Sequence, residues 1–406
     1  MPESRSAPSR IGLCRNAQWG SFCSPLVLVI LLLAGSPVAM AACPFCPPQT
    51  QTLNEKLTQS AVTGLAQWIS AEKSQGDNPG RTTFEFLQLA RDSRRRFQRG
   101  SRIDIPKHRP GQPGDLFLLF GKGEESLQWE PPEEITETAY QYVAQSPSRE
   151  VQVTQRLRYY LRFLEYSDEF IANDAFAEFS KASYDDVKKL SKEFPRKRLR
   201  SWLFEDQVRP IRRGLYGMML GLCGDDQDRQ NMRAMLTADS TEYRLGIDGV
   251  MGGYLLLAGA QGLDVIDTHQ LRNQKAAFSE TFAAMQALRF MWSYGNQRIE
   301  KERLRQSLRI LLDRPKLAEI VITDLARWQD WSIQPRLMTM FTDPRFQDKY
   351  TRRAIAAFLL VSVASGADAK PTPAHVERGR KYLAQIQKTA PSVLKAAKRL
   401  VALQQP

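Results

Sequence analysis

The chain has 406 residues, with 57 Lys and Arg against 44 Asp and Glu, and therefore a formal net charge of +13. Its basic residues are interleaved with acidic ones, which is typical of a solvated surface, and its five cysteines are too few for a disulfide framework. Packed cores must therefore stabilise the fold, and the length is sufficient for two or three domains.

Residues 1–41 have the pattern of a secretory signal peptide. Three arginines precede an uncharged run from Leu26 to Ala34, and the small residues Ala39 and Ala41 predict cleavage after Ala41. Two alternatives stay open: an uncleaved membrane anchor, for which an apolar run of about ten residues is short, and a lipoprotein signal with the lipid on Cys43. We expect an exported protein that works in the periplasm, in the cell envelope or outside the cell, with a mature net charge of about +11 because residues 1–41 hold three basic residues and one acidic residue.

Residues 42–132 are expected to form a small closed β-structure. Short segments rich in apolar, aromatic or β-branched residues are separated there by Gly, Pro and Asp clusters, as in a small barrel. The candidate strands are 61–70, 82–89, 102–105, 114–120 and 126–130.

The order of these segments resembles the OB-type barrel of the netrin module, which includes the tissue inhibitors of metalloproteinases. The likeness rests on the opening Cys43-Pro-Phe-Cys46, on Gly100 to Ile105 and on Gly114 to Phe120. Some uncharacterised secreted bacterial proteins look similar at the opening. The resemblance implies an OB fold and, as one functional alternative, a metalloprotease-inhibitor-like module. The inhibitors chelate zinc through a terminal Cys-x-Cys, whereas the spacing here is Cys-x-x-Cys.

Cys43 and Cys46 have the spacing of a thiol–disulfide active site. No strand precedes them, and Pro47 follows directly, so we favour a disulfide or thiol pair that fastens the new N-terminus onto the barrel. Redox catalysis and a metal site are the alternatives. Haem attachment requires His at the position of Pro47, and a zinc site needs about four ligands. We therefore predict no metal site and no cofactor.

A second candidate site is the expected turn between two strands of the barrel. It carries four arginines, Arg94, Arg95, Arg96 and Arg99. Because OB barrels bind ligands on one face and its loops, this turn is a candidate polyanion-binding loop. The alternative is an ordinary solvated turn.

Residues 133–403 are expected to be α-helical. Val153 to Tyr166 has apolar side chains at helical spacing, and similar segments of about 10 to 20 residues follow to the end of the chain. Helices in pairs about every 40 residues predict an α-solenoid. Asp168 to Phe179 and Tyr350 to Leu360 resemble second helices of HEAT-type repeats. A globular helical bundle is the alternative.

These patterns predict an α+β multidomain protein, a small OB-like barrel followed by a HEAT-like α-solenoid. No catalytic constellation emerges, so we favour a non-catalytic binding or scaffolding protein whose helical-repeat surface engages a partner. A protein partner is expected, with an acidic polymer or a cell-envelope component as the alternative. Export disfavours nucleic acid, and membrane contact is expected only with a lipid on Cys43 or an uncleaved signal. The functional alternative is a thiol–disulfide or other enzyme centred on Cys43 and Cys46.

Overall fold

The chain is described here from a computed structural model. It describes residues 42–47, 50–76, 79–204, 208–238 and 242–404. The predicted signal peptide, residues 1–41, lies outside the described residues. Within them, one short helix, α1 (Leu53–Gln59), precedes a six-stranded sheet, and helices follow the sheet, so the fold is α+β.

The sheet is antiparallel throughout, and its order along the hydrogen-bonded path is β3–β2–β1–β4–β5. The sixth strand pairs with β4. The strands are β1 (Val62–Glu72), β2 (Arg81–Asp92), β3 (Arg102–Ile105), β4 (Leu116–Lys122), β5 (Gln128–Trp129) and β6 (Glu133–Glu134).

Strand β4 is a continuous apolar run because both of its faces are buried. Phe117 and Leu119 point into a core formed within the sheet, where Phe117 packs edge-on against Phe84. Leu118 and Phe120 point the other way and belong to the large buried cluster that the helices form. The sheet is therefore packed against the helical part through every second residue of this strand.

The outer strands β3 and β5 approach each other at one end of the sheet. Residues that follow β3 and residues around β5 line a cavity of about 390 Å³. The strand pairing found among the described residues does not join β3 to β5.

Sixteen α-helices follow the sheet in the described residues. They are α2 (Glu137–Ala144), α3 (Val153–Leu161), α4 (Glu169–Lys181), α5 (Tyr184–Lys189), α6 (Arg196–Phe204), α7 (Arg213–Cys223), α8 (Asp226–Thr237), α9 (Ile247–Ala258), α10 (Ala260–Ile266), α11 (Phe278–Tyr294), α12 (Lys301–Ile310), α13 (Pro315–Arg327), α14 (Gln334–Thr342), α15 (Lys349–Ala364), α16 (Ala374–Thr389) and α17 (Pro391–Gln404).

Helices α7 and α9 touch backbone to backbone, which only glycine permits. A Cβ added at Gly221 would lie 2.3 Å from the Cα of Gly253, and one at Gly253 would lie 2.0 Å from the carbonyl oxygen of Gly217. The glycines spaced by three or four residues in these two helices thus lie at a helix–helix contact.

Helix α1 is attached to α4 through two buried carboxylates. Asp174 accepts hydrogen bonds from the Leu53 amide and the Tyr142 hydroxyl, both at 2.7 Å. Glu178 accepts one from the Thr52 hydroxyl at 2.5 Å. Since Thr52 is also the N-cap of α1, the start of this helix is tied to the helical part of the molecule.

Candidate functional site

The hairpin 42–47 carries the predicted cysteine pair, and the two residues form a disulfide. The Cα atoms of Cys43 and Cys46 are 5.4 Å apart, and the Cys46 amide donates back to the Cys43 carbonyl at 3.3 Å. Cys43 is buried, whereas Cys46 is half-buried. The second cysteine is therefore the one that solvent or a ligand reaches more easily.

Cys43 and Phe45 of this hairpin contact helices, whereas the sequence led us to expect the hairpin on the barrel. The Cys43 amide donates to the Ser180 carbonyl of α4 at 3.0 Å. The ring of Phe45, only 6% exposed, lies with its centroid 4.7 Å from that of Phe290 in α11. A large apolar side chain between the two cysteines gains more from this aromatic pocket than from the edge of a small sheet.

Two glycines make room for the hairpin between the helices. A Cβ at Gly252 in α9 would lie 2.5 Å from the Phe45 ring, and one at Gly214 in α7 would lie 2.7 Å from the Phe45 carbonyl oxygen. Real Cβ atoms do not come so close to other heavy atoms, so only glycine lets the hairpin settle between α7 and α9.

A groove of about 540 Å³ opens beside the hairpin, a size typical of ligand sites. One wall is the hairpin itself, and the others are the segment 243–248 and the first turns of α11. Among the described residues, seven large apolar side chains are exposed, and four of them line this groove. These four are Ile211 (38% exposed), Tyr243 (72%), Leu245 (38%) and Phe278 (53%).

Such a concentration is unusual because exposed apolar side chains are normally scattered singly over a surface. Phe278 also stacks on Phe282 of the same helix, with ring centroids 6.0 Å apart, so the apolar surface continues into the groove. The arrangement is typical of a surface that another molecule covers.

The charged groups of the groove are one internal ion pair and one carboxylate. The Arg244 guanidinium binds both carboxylate oxygens of Glu280, at 2.9 and 2.7 Å, and also donates to the Met235 carbonyl at 2.6 Å. Asp248, in the first turn of α9, accepts from the Gly249 amide at 2.9 Å, and burial raises the pKa of this carboxyl. The neutralised cation and the half-buried acid leave the walls predominantly apolar.

The described lining of this groove contains Ser279 and the Asp248 carboxyl but none of the three histidines of the chain. The third cysteine of the described residues, Cys223, lies at the end of α7, where burial raises the pKa of its thiol to about 11. Among the described residues, no group of three or more His, Cys, Asp or Glu is placed to hold a metal ion.

The predicted arginine loop lies between β2 and β3, away from the groove lining. Arg94 and Arg96 both pair with Glu124, at 3.1 and 3.5 Å, and Arg96 also donates to the Glu124 carbonyl at 3.0 Å. Arg95 and Arg99 are exposed. The single carboxylate of Glu124 therefore offsets one of the four positive charges of this loop, which weakens its attraction for a polyanion only in part.

Apart from Cys46, sequence patterns did not single out the residues that line the groove. Tyr243 and Leu245 precede α9, and Phe278 is the first residue of α11. The one available signal was the position of these apolar side chains at helix starts, outside the periodic core positions.

Comparison of the chain with family models, curated proteins and solved structures found no match. No helix within the described ranges combines the length and the apolar character needed to cross a membrane.

Proposed function

We propose that this chain is an exported, non-catalytic binding protein, and that the groove beside the Cys43–Cys46 hairpin takes an extended polypeptide segment with apolar side chains. The observation that carries the proposal is the gathering of four exposed apolar side chains around one concave site.

A polypeptide fits the mixture of groups in the groove better than a purely apolar ligand does. Ser279, Gln286 and the Asp248 carboxyl lie among the apolar side chains of the lining. An extended segment places apolar side chains against the rings and offers main-chain N–H and C=O groups to these polar side chains. The ion pair between Arg244 and Glu280 needs no counterion from the ligand.

The scaffold behind the groove is best interpreted as HEAT-like repeats joined to an OB-like barrel. Four ion pairs that join separate segments of the helical part have separations of 34 to 36 residues, as expected when equivalent helices stack. These pairs are Arg244–Glu280, Asp267–Arg303, Arg289–Asp324 and Glu319–Arg353. The recurrence supports the solenoid over an irregular bundle.

The hairpin contacts bear on two of the alternatives from the sequence. A Cys43 thiol engaged in a disulfide is not available to carry a lipid. The Cys43 amide is already bound to the Ser180 carbonyl, so it is not free to chelate a protease zinc as in the inhibitors. Both contacts favour a hairpin that shapes the helical surface.

The groove is tested by removing its exposed side chains. We expect the triple variant Tyr243→Ser, Leu245→Ser, Phe278→Ser to lose affinity for a fluorescein-labelled peptide in which Leu and Phe alternate with Ser. Burying one large apolar side chain contributes roughly 1.5–3 kcal/mol. The loss of three, at least about 4.5 kcal/mol, therefore weakens binding by about a thousandfold or more in fluorescence anisotropy.

The matched control is the double variant Tyr166→Ser, Tyr350→Ser, which removes exposed aromatic rings that do not line the groove. We expect it to bind the peptide like the unaltered protein, with both variants keeping the parent circular dichroism spectrum. Equal peptide affinity of the groove variant and the parent would refute the proposal.

A second candidate function is thiol–disulfide exchange with a cysteine of the bound polypeptide. It is favoured by one observation, that the half-buried Cys46 lines the groove. The purified protein would then oxidise or reduce a model disulfide substrate, and Cys46→Ser would abolish turnover. A disulfide that stays closed in mild reductant, with no turnover, would rule this function out.

A further inference from the structure

The last two helices carry a large part of the excess positive charge of the protein. Residues 374–404 contain seven Lys and Arg against the single acid Glu377. This net charge of +6 is more than half of the +11 expected for the chain without residues 1–41. The concentration differs from the interleaved charges found elsewhere.

These cations also differ from the others in their surroundings. Arginines upstream are repeatedly bound to carboxylates, from Arg81 to Arg353. The ion pairs found among the described residues include none from residues 374–404. The positive charge of helices α16 and α17 is therefore not neutralised by described ion pairs.

The packing of helices α16 and α17 directs their cations outward. Val376 and Ile386 of α16 and Leu394 and Ala397 of α17 are buried. The exposed residues lie on the opposite side, where three cations surround a depression of about 440 Å³ together with Gln387, Pro391 and Ser392. These cations are Lys395, Lys398 and Arg399.

An exposed leucine extends the same stripe of α17. Lys395, Arg399 and Leu403 follow one another at four-residue spacing and so lie on one face of the helix. Leu403 is 85% exposed, the most exposed large apolar side chain of the described residues. An apolar side chain next to a row of cations matches the layered chemistry of a lipid headgroup region above acyl chains.

We propose that the α16–α17 hairpin docks on an anionic membrane surface, with its cations at the headgroups and Leu403 at the acyl boundary. A soluble acidic polymer offers charge but no apolar layer for Leu403, so the lipid surface fits both features. The proposal rests on helices α16 and α17 alone and does not depend on the groove.

The test is co-sedimentation of the full chain with vesicles of phosphatidylcholine, with and without phosphatidylglycerol. We expect binding only to the anionic vesicles, and less of it at high salt. A basic residue near an anionic surface contributes about fivefold in affinity, so Lys395→Ala, Lys398→Ala, Arg399→Ala should weaken binding on the order of a hundredfold.

The control variant Lys192→Ala, Lys197→Ala, Arg198→Ala removes the same charge from exposed positions in and just before helix α6 and should bind anionic vesicles like the parent. Leu403→Ser should weaken vesicle binding and leave binding to heparin unchanged. The proposal would be overturned if the variant Lys395→Ala, Lys398→Ala, Arg399→Ala bound vesicles as tightly as the parent. If heparin binds and Leu403→Ser does not affect vesicle binding, the partner is an acidic polymer and the lipid assignment is wrong.

Discussion

Asp174 provides a quantitative test of how helix α1 is held on the helical part. Its carboxylate is buried, accepts from Leu53 and Tyr142, and has no cation in contact among the described residues. Burial raises its pKa from 3.8 to about 7, the hydrogen bond from the Leu53 amide opposes the rise, and the negative charges of Glu178 and Glu133 add to it. The folded protein thus retains a proton that the unfolded chain loses.

The magnitude follows from this pKa difference. A rise of about three units corresponds to about 4 kcal/mol, since one unit is about 1.4 kcal/mol. Because the folded-state pKa is the higher one, this contribution to the free energy of unfolding is complete below about pH 4. It is lost as the pH rises through about 7.

The variant Asp174→Asn removes the titrating group and keeps an oxygen that can accept from the Leu53 amide. Urea unfolding of both proteins at a series of pH values from 4 to 8 gives the two free energies. We expect the stability of the parent relative to the variant to fall by as much as about 4 kcal/mol across this range.

The control is Glu193→Gln. Glu193 is exposed, and the hydrogen bond from Arg158 lowers the pKa of its carboxyl. The stabilising effect of this carboxylate is therefore already complete at the upper end of the pH series. The same pH slope in the parent and in Asp174→Asn would refute the assignment of the proton to Asp174.

Three further variants test the packing around the groove. Gly221→Ala places a Cβ against Gly253 of α9 and should destabilise the protein by about 1–3 kcal/mol, measured as a lower urea midpoint; an unchanged midpoint would contradict the backbone contact. Phe45→Ala should cost about 3–5 kcal/mol, and binding of peptide to the groove should weaken with it. Replacing Cys43 and Cys46 together by Ser should cost about 2 kcal/mol, since the closed loop is short, and reductant should then no longer affect thermal unfolding of the variant.

Local sequence patterns determined the secondary structure well. Strands β2, β3 and β4 lie within a few residues of the predicted segments, because turn residues bound them and β-branched or aromatic residues fill them. Helices α3 and α4 follow the predicted 3.6-residue spacing. Helix α1 was missed, since seven residues are too few to show a helical period.

The cysteine spacing likewise predicted a local pair, and the two residues are joined in a disulfide. Its placement was not predictable, because the pocket for Phe45 is formed by Gly214, Gly252 and Phe290. These three pocket residues lie well over a hundred residues further along the chain. No local pattern encodes such a contact.

Contacts between residues distant in the chain also explain why the sequence predicted one candidate site and missed the other. The arginine loop was visible in the sequence as a run of like residues, but the ion pairs of Arg94 and Arg96 with Glu124 depend on the pairing of strands. The groove is lined by the hairpin, by 243–248 and by the start of α11, which only helix packing brings together. The sequence by itself thus determined most of the segments that are strands or helices and predicted that Cys43 and Cys46 act as a pair. Tertiary structure decided which surfaces face one another, because burial and charge neutralisation depend on residues distant in the chain.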